Sequence, residues 1–496
     1  MIPEATERRA ARTRAAPLFA GALLALLVTA SGSAQDARGS AVTTVRYVSL
    51  RPIGLDTIPR SAVVEVDGQL TFNGYPVFCL SGGDPCLQYG PREVEHAVVA
   101  TQDLSATAWG FGVQGLSATV LVRGRADLGG EFTWPRSDDE FDAILGYAQF
   151  QRSIYRVRLG RQRTLSGLGF SGFDGLDVLV EPLGNLRVQA YGGRSLARGL
   201  YEPQNQALRG IEDFVLDQDA YLLGAFVEAE PWTGASVGAR YQREIWRNRI
   251  GLVSERAAVD FRSNLPGSFR MDASADYDVG FGRLGKAHLT VRSRLPGDWG
   301  WAELTGRRYL PYFEMSTVWG FFSPVAYHEA EARATITRWQ PVTVWAGTAW
   351  RKYEDAEIAI IGRPITDTSK RYSLGARWLV GPWTAFGEYR LETDFGAFLS
   401  SGDASVRWQA TDRLALTARG SAFQQIEQFR IGEQVVIGGG LGSDLRLFGG
   451  TELRSGVDLY SQQYDNRPTG ADWNQLRAYT ILTIPFGDDP GTRVRR

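Results

Sequence analysis

The chain predicts an all-β fold: a large antiparallel transmembrane β-barrel of roughly 16 to 22 strands, with a short N-terminal extension. Three observations predict it. From about residue 97 to 486, segments of about ten residues alternate apolar and polar side chains, and period two puts the two sets on opposite sides of a strand. Segments of that length match a tilted bilayer crossing, whereas soluble strands more often run about five or six residues. Composition is apolar without being core-rich: 57 Gly and only 3 Met in 496 residues suit a wall with little irregular core to fill. Trp339, Trp350, Tyr353, Trp378, Trp383 and Trp408 fall near segment ends, the placement of an interfacial aromatic girdle.

The chain divides in order. Residues 1–34 read as a cleavable export signal: Arg8, Arg9, Arg12 and Arg14 precede the apolar run "LFAGALLALLVTA", and small residues follow to Ala34. That run is short for a membrane anchor. Residues 35–95 are less regular and form either an extension or the first strands. They carry Cys79 and Cys86, the two cysteines of the chain, around a Gly-Gly-Asp-Pro turn. In an exported protein this pair reads as one disulfide closing a short loop, and two thiols without a nearby His pair would leave zinc under-ligated.

Residues 96–487 form the barrel. Leu116, Ala118, Val120 and Val122 oppose Ser117, Thr119, Arg123 and Arg125; Tyr155, Val157 and Leu159 oppose Arg156 and Arg158. Trp383, Ala385, Gly387, Tyr389 and Leu391 oppose Thr384, Glu388, Arg390 and Glu392; Leu414, Leu416, Ala418 and Gly420 oppose Thr417, Arg419 and Ser421. Arg123, Arg125, Arg156, Arg158, Glu388, Arg390 and Arg419 are expected, as a class, to face a solvated lumen. The long connections at 195–219, 310–330 and 352–370 are candidates to fold inward and narrow it. Residues 488–496 are a tail.

Several function classes are excluded. Formal charge is −1, and falls to about −3 without the signal, which argues against nucleic acid as a partner. Gly167, Gly169 and Gly172, and again Gly110, Gly112 and Gly115, spell G-x-G-x-x-G. A dinucleotide fingerprint needs a helix after the glycines, and here both sets lead into strand-like alternation. Three histidines and no paired-His zinc motif leave no enzyme site to assign. His288 reads as a wall residue, and Asp138, Asp139, Glu140 and Asp142 as a solvated turn. No cofactor or metal is expected.

Residues 155–194, "YRVRLGRQRTLSGLGFSGFDGLDVLVEPLGNLRVQAYGGR", carry a strand ending Leu-Gly-Arg-Gln, a glycine-rich turn, Phe-Asp-Gly-Leu and a closing Gly-Gly-Arg. The pattern resembles bacterial outer-membrane porins of the alginate-export type, and also the barrel component of porin-cytochrome conduits. It rests on Gly160, Arg161, Gln162, Phe173, Asp174 and Gly175, with Gly192, Gly193 and Arg194. The resemblance implies an outer-membrane porin that passes ions or small solutes through a water-filled channel, in contact with outer-membrane lipid and able to form homo-oligomers. The alternatives are a sheath around a multihaem cytochrome and a secreted β-rich adhesin. The chain has no C-x-x-C-H, so haem would have to come from a partner.

Overall fold

The computed structural model describes residues 36–487 except 52, 67–68, 74, 80–84, 92, 130–139, 167, 197–219, 247–250, 266–267, 311–325, 355–365, 395–397, 428–433 and 465–471. Residues 1–34, expected to be an export signal, the tail and most of the three long connections therefore lie outside the described residues.

The expected all-β barrel is present, at the upper end of the expected strand number. Twenty-two antiparallel strands form one closed ring, in which Asp36–Leu50 pairs both with the next wall strand, Glu95–Trp109, and with the last, Trp473–Gly487. Every other wall strand pairs with its sequence neighbours, so the topology is up-and-down. At a strand spacing of ~4.8 Å and a tilt of ~40°, such a ring is about 44 Å across if circular.

Wall strands run 10 to 15 residues, enough for a tilted membrane crossing of about 9 to 11. One end of the barrel is tied by turns of two to six residues, and both chain ends lie there. The other end carries the long connections. The second glycine motif is one of the turns: Gly110, Gly112 and Gly115 all have positive φ (81°, 77° and 90°), and the strand Leu116–Asp127 begins directly after it. No helix receives a phosphate there.

Because Asp36–Leu50 is a wall strand, residues 51–94 are an insertion at the loop end between the first and second strands of the ring. They form two small sheets of three strands around Ile58, Val77 and Cys86, with Phe72 and Val63 packed against them. The expected Cys79–Cys86 disulfide is formed and joins two directly opposed strand residues. Arg51 donates to the Asp472 carbonyl at 3.4 Å, linking this insertion to the last loop.

The two sheet faces differ as the alternation predicts. On one, Leu159, Val259, Leu304, Leu374 and Leu441 are exposed by 62, 57, 62, 58 and 64 %. On the other lie Arg–carboxylate pairs, several of which skip a strand. Arg351 reaches Glu392, Arg371 reaches Glu331, Arg407 reaches Asp444 and Arg419 reaches Asp458, each across an intervening strand. Side chains two strands apart converge on the concave side of a curved sheet and diverge on the convex one. The charged face therefore lines the interior.

Girdle residues obey the same logic. Trp378, Trp383 and Trp408 sit on the apolar face near the turn end, the last two stacked at 5.4 Å. Trp350 is on that face at the loop end. Tyr353 differs: it lies on the polar face and accepts from Arg351 at 2.9 Å.

Candidate functional site: a charged lumen with an inward-folded hairpin

The arginines of the lumen are delivered by strand parity, and their partners lie on the same strand, the adjacent one or the next but one. Arg123 donates through Nε and Nη2 to both carboxylate oxygens of Asp103 at 2.7 and 2.9 Å. Arg419 forms the same fork with Asp458 at 2.5 and 2.6 Å, with the Tyr479 ring 5.9 Å away. A planar guanidinium matches a carboxylate at two points, so these side chains are fixed in direction. Arg156 lies 3.5 Å from Asp177, which is 3 % exposed. Arg158 donates to Gln149 at 2.7 Å and covers the Tyr147 ring. Glu388 accepts from Trp345 at 3.0 Å and from Arg390 on its own strand. Arg125 shares the face of Arg123, opposite Thr101.

The densest node was not among the sequence candidates. Glu329, whose side chain is 1 % exposed, accepts from Arg351 at 2.7 Å and Arg371 at 3.2 Å and forms an ion pair with Arg307 at 2.9 Å. Glu331 and Glu392 take further bonds from the same arginines. Tyr327 lies 4.2 Å from the Arg351 guanidinium. A second node joins Arg407 and Arg454 through Asp444. Alternation marks these residues as polar-face members. It does not reveal which of them meet, because that depends on register between strands well separated along the chain.

Among the described residues, the lumen is narrowed by a short hairpin. Leu168 and Ser171, beside the turn between Tyr155–Ser166 and Gly169–Leu183, reach across the neighbouring inner wall. Ser171 Oγ donates to Gln242 at 3.2 Å, and the Tyr191 hydroxyl donates to the same amide oxygen at 3.0 Å. Arg256, one strand further round, donates to the Leu168 carbonyl and to Asp276 at 2.6 Å. Beneath the hairpin Phe173, Tyr191 and Leu222 are buried together, the two rings stacked at 5.4 Å. The hairpin thus rests on four adjacent strands of the inner wall, from Leu186–Ser195 to Leu252–Leu265.

The motif residues come together at the base of this hairpin. Arg161 forks onto Asp174 at 2.8 and 2.9 Å and donates to the Ala143 carbonyl at 3.0 Å. The Gln162 amide donates to the Gly175 carbonyl at 3.0 Å. Gly160 has φ of +127°, and a Cβ there would run into the Gly146 carbonyl, so only glycine fits. Arg161 and Asp174 continue the parity of Leu159 and Leu176, the exposed apolar row, and so belong to the outer face at the loop-side edge of the apolar band. Gln162 and Phe173 belong to the inner face. The motif therefore braces the wall from both sides and aims the hairpin inward. His288 is a wall residue, 2.8 Å from Ser274 Oγ. Among the described residues no cluster of His, Cys, Asp or Glu could hold a metal ion.

No known protein family matches the chain, and no curated protein does. Among solved structures it is similar to a BenF-like porin from Pseudomonas fluorescens Pf-5, at 9 % identity over 92 % of this chain and 100 % of that one, with a TM-score of 0.42. It is also similar to OccK2 (OpdF) from Pseudomonas aeruginosa, at 10 % identity over 92 % and 99 % with a TM-score of 0.41, and to OccAB1 from Acinetobacter baumannii, at 11 % identity over 92 % and 98 % with a TM-score of 0.38.

Proposed function

We propose that the chain is a bacterial outer-membrane porin, exported by a cleaved signal at 1–34, that forms a water-filled channel for passive passage of ions and small polar solutes. One observation carries the reading. A closed ring of 22 strands has an apolar convex face and a concave face of charged side chains, which is the polarity a barrel needs to sit in lipid and enclose water. In this reading the long connections face outside and the short turns the periplasm. The resemblance of Gly160–Gln162 and Phe173–Gly175 to alginate-export-type porins supports placement in that broad class.

The lumen charges also set an expectation for selectivity. Arg123, Arg156, Arg307, Arg351, Arg371, Arg407 and Arg419 each face a carboxylate, so their fields largely cancel beyond a Debye length of about 8 Å. A water-filled pore so lined discriminates weakly between cations and anions. Purified protein in planar bilayers tests this. Stepwise ohmic conductance with a reversal potential near zero in a salt gradient is expected. Absence of conductance from the protein alone, together with co-purifying haem absorbance, would instead indicate a sheath around a cytochrome.

A further inference from the structure

The outer wall carries a second charged feature that the channel reading does not use. Arg308, His328 and Lys352 stand directly opposite one another on three adjacent strands, on the outward parity, and Lys370 lies one row away on the fourth. The row beneath them, toward the turn end, is Gly306, Ala330 and Trp350. With Ala287 and Leu289 these small residues leave an external groove of 440 Å³, bounded by the half-exposed Trp350 and topped by Arg308 and His328. A row of nitrogen donors above an apolar groove on the outward face has the layout of a headgroup contact above an acyl slot.

The way the cations are held separates them from those of the lumen. Only three lysines occur in the chain, against 51 arginines, and two of them are here. Arg308 is committed to Glu354 in a fork at 3.1 Å and also donates to the Leu284 carbonyl, and His328 contacts the same carboxylate at 2.8 Å. Lys352 and Lys370 are more than half exposed, and their carboxylate neighbours Asp367 and Asp394 lie at 3.9 and 3.8 Å, beyond hydrogen-bond length. Each ammonium thus retains donors for another acceptor on a long stem that can reach the interface. Interfacial lysines beside a tryptophan are placed where lipid phosphates lie.

We infer that this patch binds one phosphorylated lipid of the loop-side leaflet, its phosphate on Lys352 and Lys370 and one acyl chain in the groove over Gly306 and Ala330. The inference rests on the membrane-barrel reading. The full chain, refolded in detergent and shown to be folded by heat-modifiable migration, would be examined by native mass spectrometry with diphosphoryl lipid A, phosphatidylglycerol or phosphatidylcholine. Retention of one phosphorylated lipid at least tenfold above phosphatidylcholine is expected. K352Q/K370Q should reduce that preference to near parity, and Ala330→Trp, which fills the groove, should weaken retention while leaving bilayer conductance unchanged. Equal retention of all three lipids, unchanged retention in both variants, or displacement by inorganic phosphate alone would overturn it. A failure of heat-modifiable migration would instead count against the barrel itself, so the two failures are distinguishable.

Discussion

At the scale of single residues, the lumen is built from charges that cannot be removed one at a time. Glu329 serves three guanidinium groups, and breaking a buried pair from one side strands the other charges. Glu329→Gln is expected to destabilise the barrel by about 3 kcal/mol, seen as a lower midpoint of heat-modifiable migration, and to shift the pore toward anions by reversal potential. Glu354 offers a pH handle at the outer rim. The Arg308 guanidinium holds its carboxyl below the usual carboxylate range. Its stabilising contribution is therefore complete above about pH 4.3, where the unfolded carboxyl is already ionised, and is lost as pH falls through the depressed folded value. Thermal melts from pH 7 to pH 3 should fall less steeply in Glu354→Gln than in the parent.

At the scale of elements, the hairpin after Tyr155–Ser166 is the part that shapes the pore. Gln242 accepts from both Ser171 and Tyr191, so Gln242→Ala removes two hydrogen bonds worth about 1 kcal/mol each. The wall pairing of the two hairpin strands is untouched by that change. A larger unit conductance with an unchanged heat-modifiable transition is expected; an unchanged conductance would mean that the tip does not restrict flow. Of this element, sequence shows the two strands, the glycine turn and the Gly-Arg-Gln and Phe-Asp-Gly-Leu signatures. It does not show the inward bend, because Gln242 and Arg256 lie about 70 and 90 residues further along the chain, and nothing local couples them to Ser171 and Leu168. Attention falls naturally on the long connections, since length is visible in sequence and curvature is not.

At the scale of the whole molecule, the ring and the disulfide-bearing insertion are separable. The Ile58, Val77 and Cys86 cluster draws only on residues 58–86, whereas the wall is held by the continuous pairing of 22 strands. Reduction of Cys79–Cys86, or replacement of both by Ser, is therefore expected to leave heat-modifiable migration and conductance intact while exposing 51–94 to limited proteolysis. Loss of the folded band on reduction would contradict this independence.

Sequence by itself determined the strand class and the two faces. Period-two alternation is a local property, and it placed Arg123, Arg156, Arg158, Arg390 and Arg419 on the face opposite Leu159, Leu391 and Leu416 without knowledge of any neighbour. It also separated the glycine motifs from phosphate loops, since the residues directly after each turn carry strand alternation and no helical period. Tertiary structure alone decided that the wall closes at 22 strands, that Asp36–Leu50 seals the ring against Trp473–Gly487, and that Glu329 gathers three arginines. Closure and partner choice depend on register between strands and on which face is concave. Both arise from the twist and coil of the whole sheet, which no single segment contains.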